Sequence, residues 1–446
     1  MSGPVLFTEI LIDRTANVWY RRIETGFKEW KRRLGALCAN GTSMKYDFTS
    51  IMDRRGRDAI AVDALGTTGG FAPGAPKEGF DAIPMWVADM NFPTVPTITQ
   101  AIIQRAQHPA FGYFAPTDEY FDAIIRWQEK RNGVTGLTRA CIGYENGVLG
   151  GVISALNVLC SRGDHVLLHS PTYIGFTRSL ENNGYHIVHS PLQMDEAGVW
   201  RMDFEDMERK IETHQIHAAV FCTPHNPCGR VWERWELERM MELFRAHDVM
   251  VVSDEIWSDI ILGSAHHIPL QSISEDARNR TVALYAPSKT FNLAGLVGSY
   301  HIIYHKTLRE RIEKESSLCH YNDMNVLSMH ALIGAYRPEG YEWLDELRQV
   351  LTENVDYACA YIEEHFPGVR VSKPQGTYML FLDCTEWCQA HGTSIDAVEQ
   401  AGWDVGVAWQ DGRMFHGPCH IRMNLALPHS RVKEAMDRLS KYVFCS

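Results

Sequence analysis

Residues 281–289 read TVALYAPSK, an apolar run of strand length that breaks at Ala286–Pro287 and delivers Lys289 into a polar loop. Two upstream segments share the design: AAVFCTPHNP at 218–227 ends near Asn226, and VMVVSDEIW at 249–257 ends near Asp254. Between such runs lie helical patterns, GGVISALNVLC before VLLHS and the stretch around Glu233–His247 before VMVVS. This alternation predicts βαβ crossovers and an α/β fold, with a mostly parallel, helix-covered sheet in a large domain. Ligands of such sheets sit outside the carboxyl ends of the strands. The three strand ends thus present an amine, an amide and a carboxylate where a ligand is expected.

Length and composition narrow the chemistry. The 446 residues suit two domains, and a hydrophobic share of 45% with 22% charged residues is that of a folded, soluble chain. Lys plus Arg number 43 against 55 Asp plus Glu, and a net charge of −12 disfavours the basic footprint of a nucleic-acid binder. Eleven cysteines form no spaced framework, which points to a reducing, cytoplasmic setting. Cys384, Cys388 and His391 lack the further ligands of a zinc site, so no metal is expected. No apolar run reaches the roughly 18 residues of a membrane span.

Four parts follow from the change of pattern along the chain. Residues 1–43 carry Trp19, Ile23, Phe27, Trp30 and Leu34 at helical spacing with Arg and Lys on the other face. This basic amphipathic extension is expected to pack on the protein's own body or dimer, with contact to a partner or membrane as the other reading. Residues 44–93 form the N-terminal part of a small domain, and the Gly- and Pro-rich stretch 66–84 within them reads as irregular. Residues 94–329 make the large domain. Residues 330–446 complete a smaller α+β domain with a helix near Tyr341–His365 and the strand candidates TYMLFLD and HIRMNLA.

Each candidate residue has a plain reading beside the chemical one. A buried lysine loses its proton more easily and condenses with an aldehyde, whereas a loop lysine is ordinarily solvated. Asp254 ends an apolar strand and needs a cationic partner such as a protonated ring nitrogen, or else caps a helix. Asn226 sits in the turn HNPCGR and could orient a phenolic oxygen. Asn146–Gly151 (NGVLGG) opens a helix where Gly150 and Gly151 would offer N–H groups to a phosphate, with the Ser288 hydroxyl beside them. Tyr173 could lie on a planar ring or pack in the core. Arg422, a charge inside the apolar HIRMNLALP, suits a substrate carboxylate or an internal ion pair. Amine, amide and carboxylate together point to pyridoxal 5'-phosphate.

From about Met44 onward the chain resembles the fold-type I pyridoxal-phosphate enzymes. More narrowly, it is similar to the cystathionine β-lyase or C–S lyase branch, which also includes a maltose-regulon modulator. The motifs that carry the resemblance are YDFTSIMDRRG, PMWVADMNFP, FGYFAPTDEYFDAIIRW, SPTYIGF, TPHNPCGRVW, SDEIWSDIIL, APSKTFNLAGL, PQGTYMLFLD and IRMNLALP. The resemblance implies that Lys289 holds the cofactor covalently and acts as base, Asp254 pairs with its ring nitrogen and Asn226 meets its ring oxygen. It implies stacking by Tyr173, carboxylate binding by Arg422, and a homodimer in which Tyr113 reaches the phosphate of the other subunit. Trp86 and Asp89 are expected in the substrate pocket. Trp257, Ala286 and Val297 depart from the pattern, standing where relatives often place Tyr, Ser and Arg.

The activity this implies is α,β-elimination on cystathionine or a related L-cysteine conjugate, giving thiol, pyruvate and ammonia. A pyridoxal-phosphate aminotransferase shares the cofactor motifs, and a regulatory protein that retains the fold would use the extension at 1–43. The motifs around the cofactor do not separate them.

Overall fold

A large sheet forms because its central strands are apolar on both faces. The structure, a computed structural model, describes residues 44–67, 71–318 and 321–445. The amphipathic helix expected at Trp19–Leu34 lies outside the described residues. Seven strands make this sheet: β1 (Ile142–Asn146), β2 (His165–Ser170), β3 (His186–Pro191), β4 (Ala218–Cys222), β5 (Met250–Asp254), β6 (Thr281–Tyr285) and β7 (Gly298–Ile302). Their order is β1-β7-β6-β5-β4-β2-β3. The pairings from β6 to β3 are parallel, and β7 runs antiparallel to both neighbours. The expected α/β architecture is present.

Every residue of β4 and β6 is buried, as continuous apolar strands require when helices cover both faces. Successive residues alternate between two cores. Val166, Leu168, Val220 and Val252 meet Val152, Leu156 and Phe176 on one side. Leu167, Ala219, Phe221 and Val251 meet Met207, Leu237 and Phe244 on the other. The helix Arg234–Ala246 begins at a reciprocal cap between Glu233 and Glu236. Glu236 is also buried against Arg230, whose Nη2 lies 2.5 Å from its carboxylate. The register Cys222↔Asp254↔Leu284 brings the ends of β4, β5 and β6 together.

A second sheet comes from the C-terminal part. Strands β8 (Arg370–Val371), β9 (Met379–Asp383), β10 (Gln410–Asp411) and β11 (His420–Asn424) pair antiparallel in the order β8-β9-β11-β10. TYMLFLD and HIRMNLA are therefore partners, with Phe381 opposite Arg422. Helices Pro338–His365 and His429–Tyr442 pack on each other. Ile83–Pro84 pairs with Val407–Ala408, and Met85 O and Asn91 N–H bond to Asn424 and Ala426, so residues 85–91 run along the end of β11. Tyr46–Ser446 forms one compact unit. Among the described residues no helix is long and apolar enough to cross a membrane.

Three histidines sit beside the ligand-facing edge of the large sheet without complete hydrogen bonding. His169 Nε2, His189 Nδ1 and His225 Nδ1 are buried and find no partner among the described residues. Burial holds these imidazoles at about 4, 4 and 3, below the ordinary 6.5, with the neighbouring histidines adding to the effect. Each is therefore neutral when folded and charges freely when unfolded. As pH falls below about 6.5 the unfolded chain binds protons first, and stability declines until the folded values are passed. Thermal unfolding followed from pH 7.5 to 4.5 is expected to show a falling midpoint, and His189→Gln to flatten that slope.

Candidate active site

A cavity of about 310 Å³ opens at the carboxyl ends of β4, β5 and β6. Gly150, Tyr173, Asn226, Asp254, Ser288 and Lys289 all line it, with Trp257 and Val297 completing part of its wall. Lys289 arrives there because Pro287, whose fixed φ suits the start of a helix, opens the single turn Pro287–Thr290 directly after β6. Its Nζ donates to the carbonyl of Ala88 at 3.0 Å and lies 5.7 Å from the centre of the Trp257 ring. Asp254 ends β5 and accepts the N–H of Ile256 at 3.0 Å.

Electrostatics in the cavity are dominated by the loss of water. Burial raises the Asp254 carboxyl to about 7, although the Ile256 amide and Lys289 pull it down. Burial lowers the Lys289 amine to about 8, helped by Arg422 and opposed by Asp89 and Asp254. Arg422 stands close enough to act on Lys289 but does not line the cavity; it is 4% exposed and is held at about 10, again by burial. Its Nη2 donates to Trp86 O at 2.8 Å and Gln410 Oε1 at 2.6 Å, while Nε and Nη1 are buried with no partner among the described residues. Asn226 Oδ1 is likewise buried and unpaired. Buried groups left open in this way can take a bond from a ligand or a water.

The opposite wall is a helix start. Gly147, with φ +79°, precedes the helix Val148–Leu159, and helix geometry leaves the N–H groups of Val148, Leu149 and Gly150 without intrahelical acceptors. Gly147, Val148, Leu149 and Gly150 line the cavity together. An anion is favoured there by the free N–H groups and the helix dipole. A flat, phosphate-bearing aldehyde with a ring nitrogen and a ring oxygen fits this set: an anion seat, a carboxylate, an amide and an amine on one cavity.

Several expected residues stand elsewhere. Gly151 is a packing position: its N–H bonds to Gly147 O, and a Cβ would lie 2.7 Å from Leu284 Cδ2, so the helix needs glycine to approach the sheet. Trp86 is absent from the cavity wall and sends its indole N–H to Ala61 O at 2.9 Å, offering only its carbonyl to Arg422. Asp89 is taken by a two-pronged bond to Arg54 at 2.5 and 3.2 Å. Tyr113 lies fully exposed and does not line the cavity of its own chain. Arg54 and Gln410 were not singled out by sequence reasoning, nor were Asn292 and Asn424, whose partners Met90 and Val87 lie 202 and 337 positions away. Gly175 was also missed: a Cβ there would sit 2.3 Å from Tyr173 Cε1.

Residues 82–439 match the model of the aminotransferase class I and II family, and the chain belongs to that family. It is 34% identical over 396 residues to cystathionine beta-lyase PatB of Bacillus subtilis, covering 88% of this chain and 98% of PatB. It is 31% identical over 403 residues to protein MalY of Escherichia coli, with 88% and 98% covered. Among solved structures it superimposes on the PLP-bound C-S lyase of Staphylococcus hominis with a TM-score of 0.80 at 28% identity, over 91% of this chain and 100% of the lyase.

The close approach at Gly175 generates a direct expectation. Gly175→Ala forces the Tyr173 ring out of place, and overpacking of this kind costs about 1–3 kcal/mol. Urea unfolding is expected to register that loss, and titration with pyridoxal phosphate to show weaker binding than wild type.

Proposed function

We propose that this protein is a pyridoxal-phosphate-dependent C–S lyase that cleaves L-cysteine conjugates such as cystathionine by α,β-elimination. The observation that carries the cofactor assignment is the meeting of Lys289, Asp254, Asn226 and the Gly147–Gly150 helix start on one cavity. Elimination is supported by the similarity to PatB and to the staphylococcal C-S lyase along nearly their whole lengths. When bound, the cofactor supplies an aldehyde and an electron-withdrawing ring that make a substrate Cα proton labile.

Each residue then has a task. Lys289 would hold the cofactor through its amine and, when that amine is free, would take the substrate Cα proton on Nζ. Asp254 keeps a proton on the ring nitrogen; at about 4 Å and an effective dielectric near 20 the charge pair is worth roughly 4 kcal/mol. Asn226 orients the ring oxygen, Tyr173 covers the ring face, and Ser288 joins the amides of Val148–Gly150 at the phosphate. The Nη1 of Arg422, which has no partner among the described residues, is offered to the substrate carboxylate as a charge-assisted bond. A thiol leaves from Cβ, and hydrolysis of the remaining fragment yields pyruvate and ammonia. In this reading residues 94–329 bring the cofactor groups, while 44–93 and 330–446 bring Arg422 and the segment facing it.

The assembly we propose is a homodimer, with Tyr113 reaching the phosphate of the other subunit. Its complete exposure, beside the exposed Phe111 and Phe114, supports a covered role for this segment. We place the enzyme in the cytoplasm, since all nine cysteines among the described residues are unpaired.

Purified protein loaded with pyridoxal phosphate is expected to release thiol and pyruvate from cystathionine without any 2-oxo acid. Turnover that requires a 2-oxo acid and frees no thiol would make it an aminotransferase instead. Lys289→Ala is expected to lose the visible absorbance of lysine-bound cofactor and at least 100-fold in kcat. Because only the neutral amine attacks an aldehyde, the rate of cofactor capture by wild-type apoprotein is expected to rise with pH up to about 8 and then level off. Stopped-flow absorbance measures that profile.

A further inference from the structure

Five consecutive backbone carbonyls, from Trp86 to Met90, each accept a hydrogen bond from a side chain distant in sequence. Arg422 Nη2 reaches Trp86 O at 2.8 Å, and Lys289 Nζ reaches Ala88 O at 3.0 Å. Asn424 Nδ2 bridges Val87 O at 2.7 Å and Asp89 O at 2.6 Å. Asn292 closes the far end with a reciprocal pair, donating to Met90 O at 2.9 Å and accepting Met90 N–H at 3.0 Å. Meanwhile the Trp86 and Asp89 side chains are engaged with Ala61 and Arg54. Lys289 is therefore met by the strap's backbone at Ala88.

A neutral lysine amine has two N–H bonds and one lone pair. Donating one N–H to a fixed carbonyl limits rotation about the last side-chain bond and so limits where the lone pair points. That carbonyl is fixed only if its peptide cannot tilt, and Asn424 grips the strap on both sides of Ala88. Asn424 is itself fully buried and oriented by the Ala426 N–H, which donates to its Oδ1 at 2.6 Å. Asn292 adopts φ +58°, a left-handed conformation that Asn tolerates better than most residues, and this places its amide against Met90.

We propose that Asn424 and Asn292 are positioning residues of the reaction, acting through the Ala88 carbonyl to aim Lys289 Nζ at the substrate Cα. The inference rests on the assignment of Lys289 as cofactor anchor and base. It adds two residues from different elements, and it makes the strap 86–90 a mechanical link between the base and the carboxylate anchor Arg422. A base displaced by about 1 Å loses on the order of 100-fold in rate. The loss falls on proton transfer, because Arg422 keeps its bond to Gln410 and carboxylate binding persists.

The test uses cofactor-loaded Asn292→Gly and Asn424→Ser. Glycine keeps the positive φ at 292, and Asn292 is partly exposed, so this variant decides the matter if the buried Asn424 change prevents folding. Both are expected to retain the visible band of lysine-bound cofactor. Per loaded site, kcat is expected to fall roughly 10- to 100-fold with KM within about threefold of wild type. Exchange of the substrate Cα hydrogen in D2O is expected to slow in the same proportion. Wild-type kcat and exchange rate per loaded site in a folded variant would overturn the proposal, even if its melting temperature dropped. Absence of the visible band from the wild-type protein would instead remove the cofactor assignment on which the proposal stands.

Discussion

An acidic group at the closed end of a buried strand is the constraint around which this molecule is arranged. Asp254 is locked in register between Cys222 and Leu284, in strands that helices cover on both faces. Burial raises the carboxyl to about 7, so ionising it at neutral pH is costly until a cation arrives. Lys289 and Arg422 experience the complementary penalty, each held below its usual value by burial. Ionisable groups confined in this way destabilise the empty fold and favour whatever ligand pairs with them.

Three parts of the chain meet to satisfy that demand. The large sheet contributes Asp254, Asn226 and the turn bearing Lys289, the antiparallel sheet contributes Arg422 and Asn424 on β11, and the strap 86–90 joins them through its carbonyls. Neither sheet holds the full set. The pairing of Ile83–Pro84 with Val407–Ala408 delivers the strap to this place, so a short two-residue ladder governs the approach of the N-terminal segment to the site.

The large sheet was legible because its strands obey a local rule. TVALY, AAVFC and VMVVS are apolar throughout, and residues at the ends of such strands fall where parallel sheets bind ligands. Lys289, Asp254 and Asn226 were therefore readable one strand at a time. The roles of Asn292 and Asn424 were not, since their hydrogen bonds to Met90 and Val87 span 202 and 337 positions. No periodicity encodes such distances. Gly151 shows the same limit in reverse: a glycine at a helix start suggests phosphate contact, yet the nearness of Leu284 gives it a packing duty. The Trp86 indole turns to Ala61, a contact that no local pattern in the segment links to it.

The central claim is that the buried carboxylate costs the empty protein stability and returns it when a ring nitrogen binds. Asp254→Asn tests this most directly, because the amide can still accept the Ile256 N–H while carrying no charge. Thermal unfolding of apo and pyridoxal-phosphate-loaded protein at pH 7.5 is the measurement. The apo variant is expected to be at least as stable as apo wild type, with a smaller gain on loading. An apo variant that melts well below wild type, with an undiminished gain from the cofactor, would contradict it.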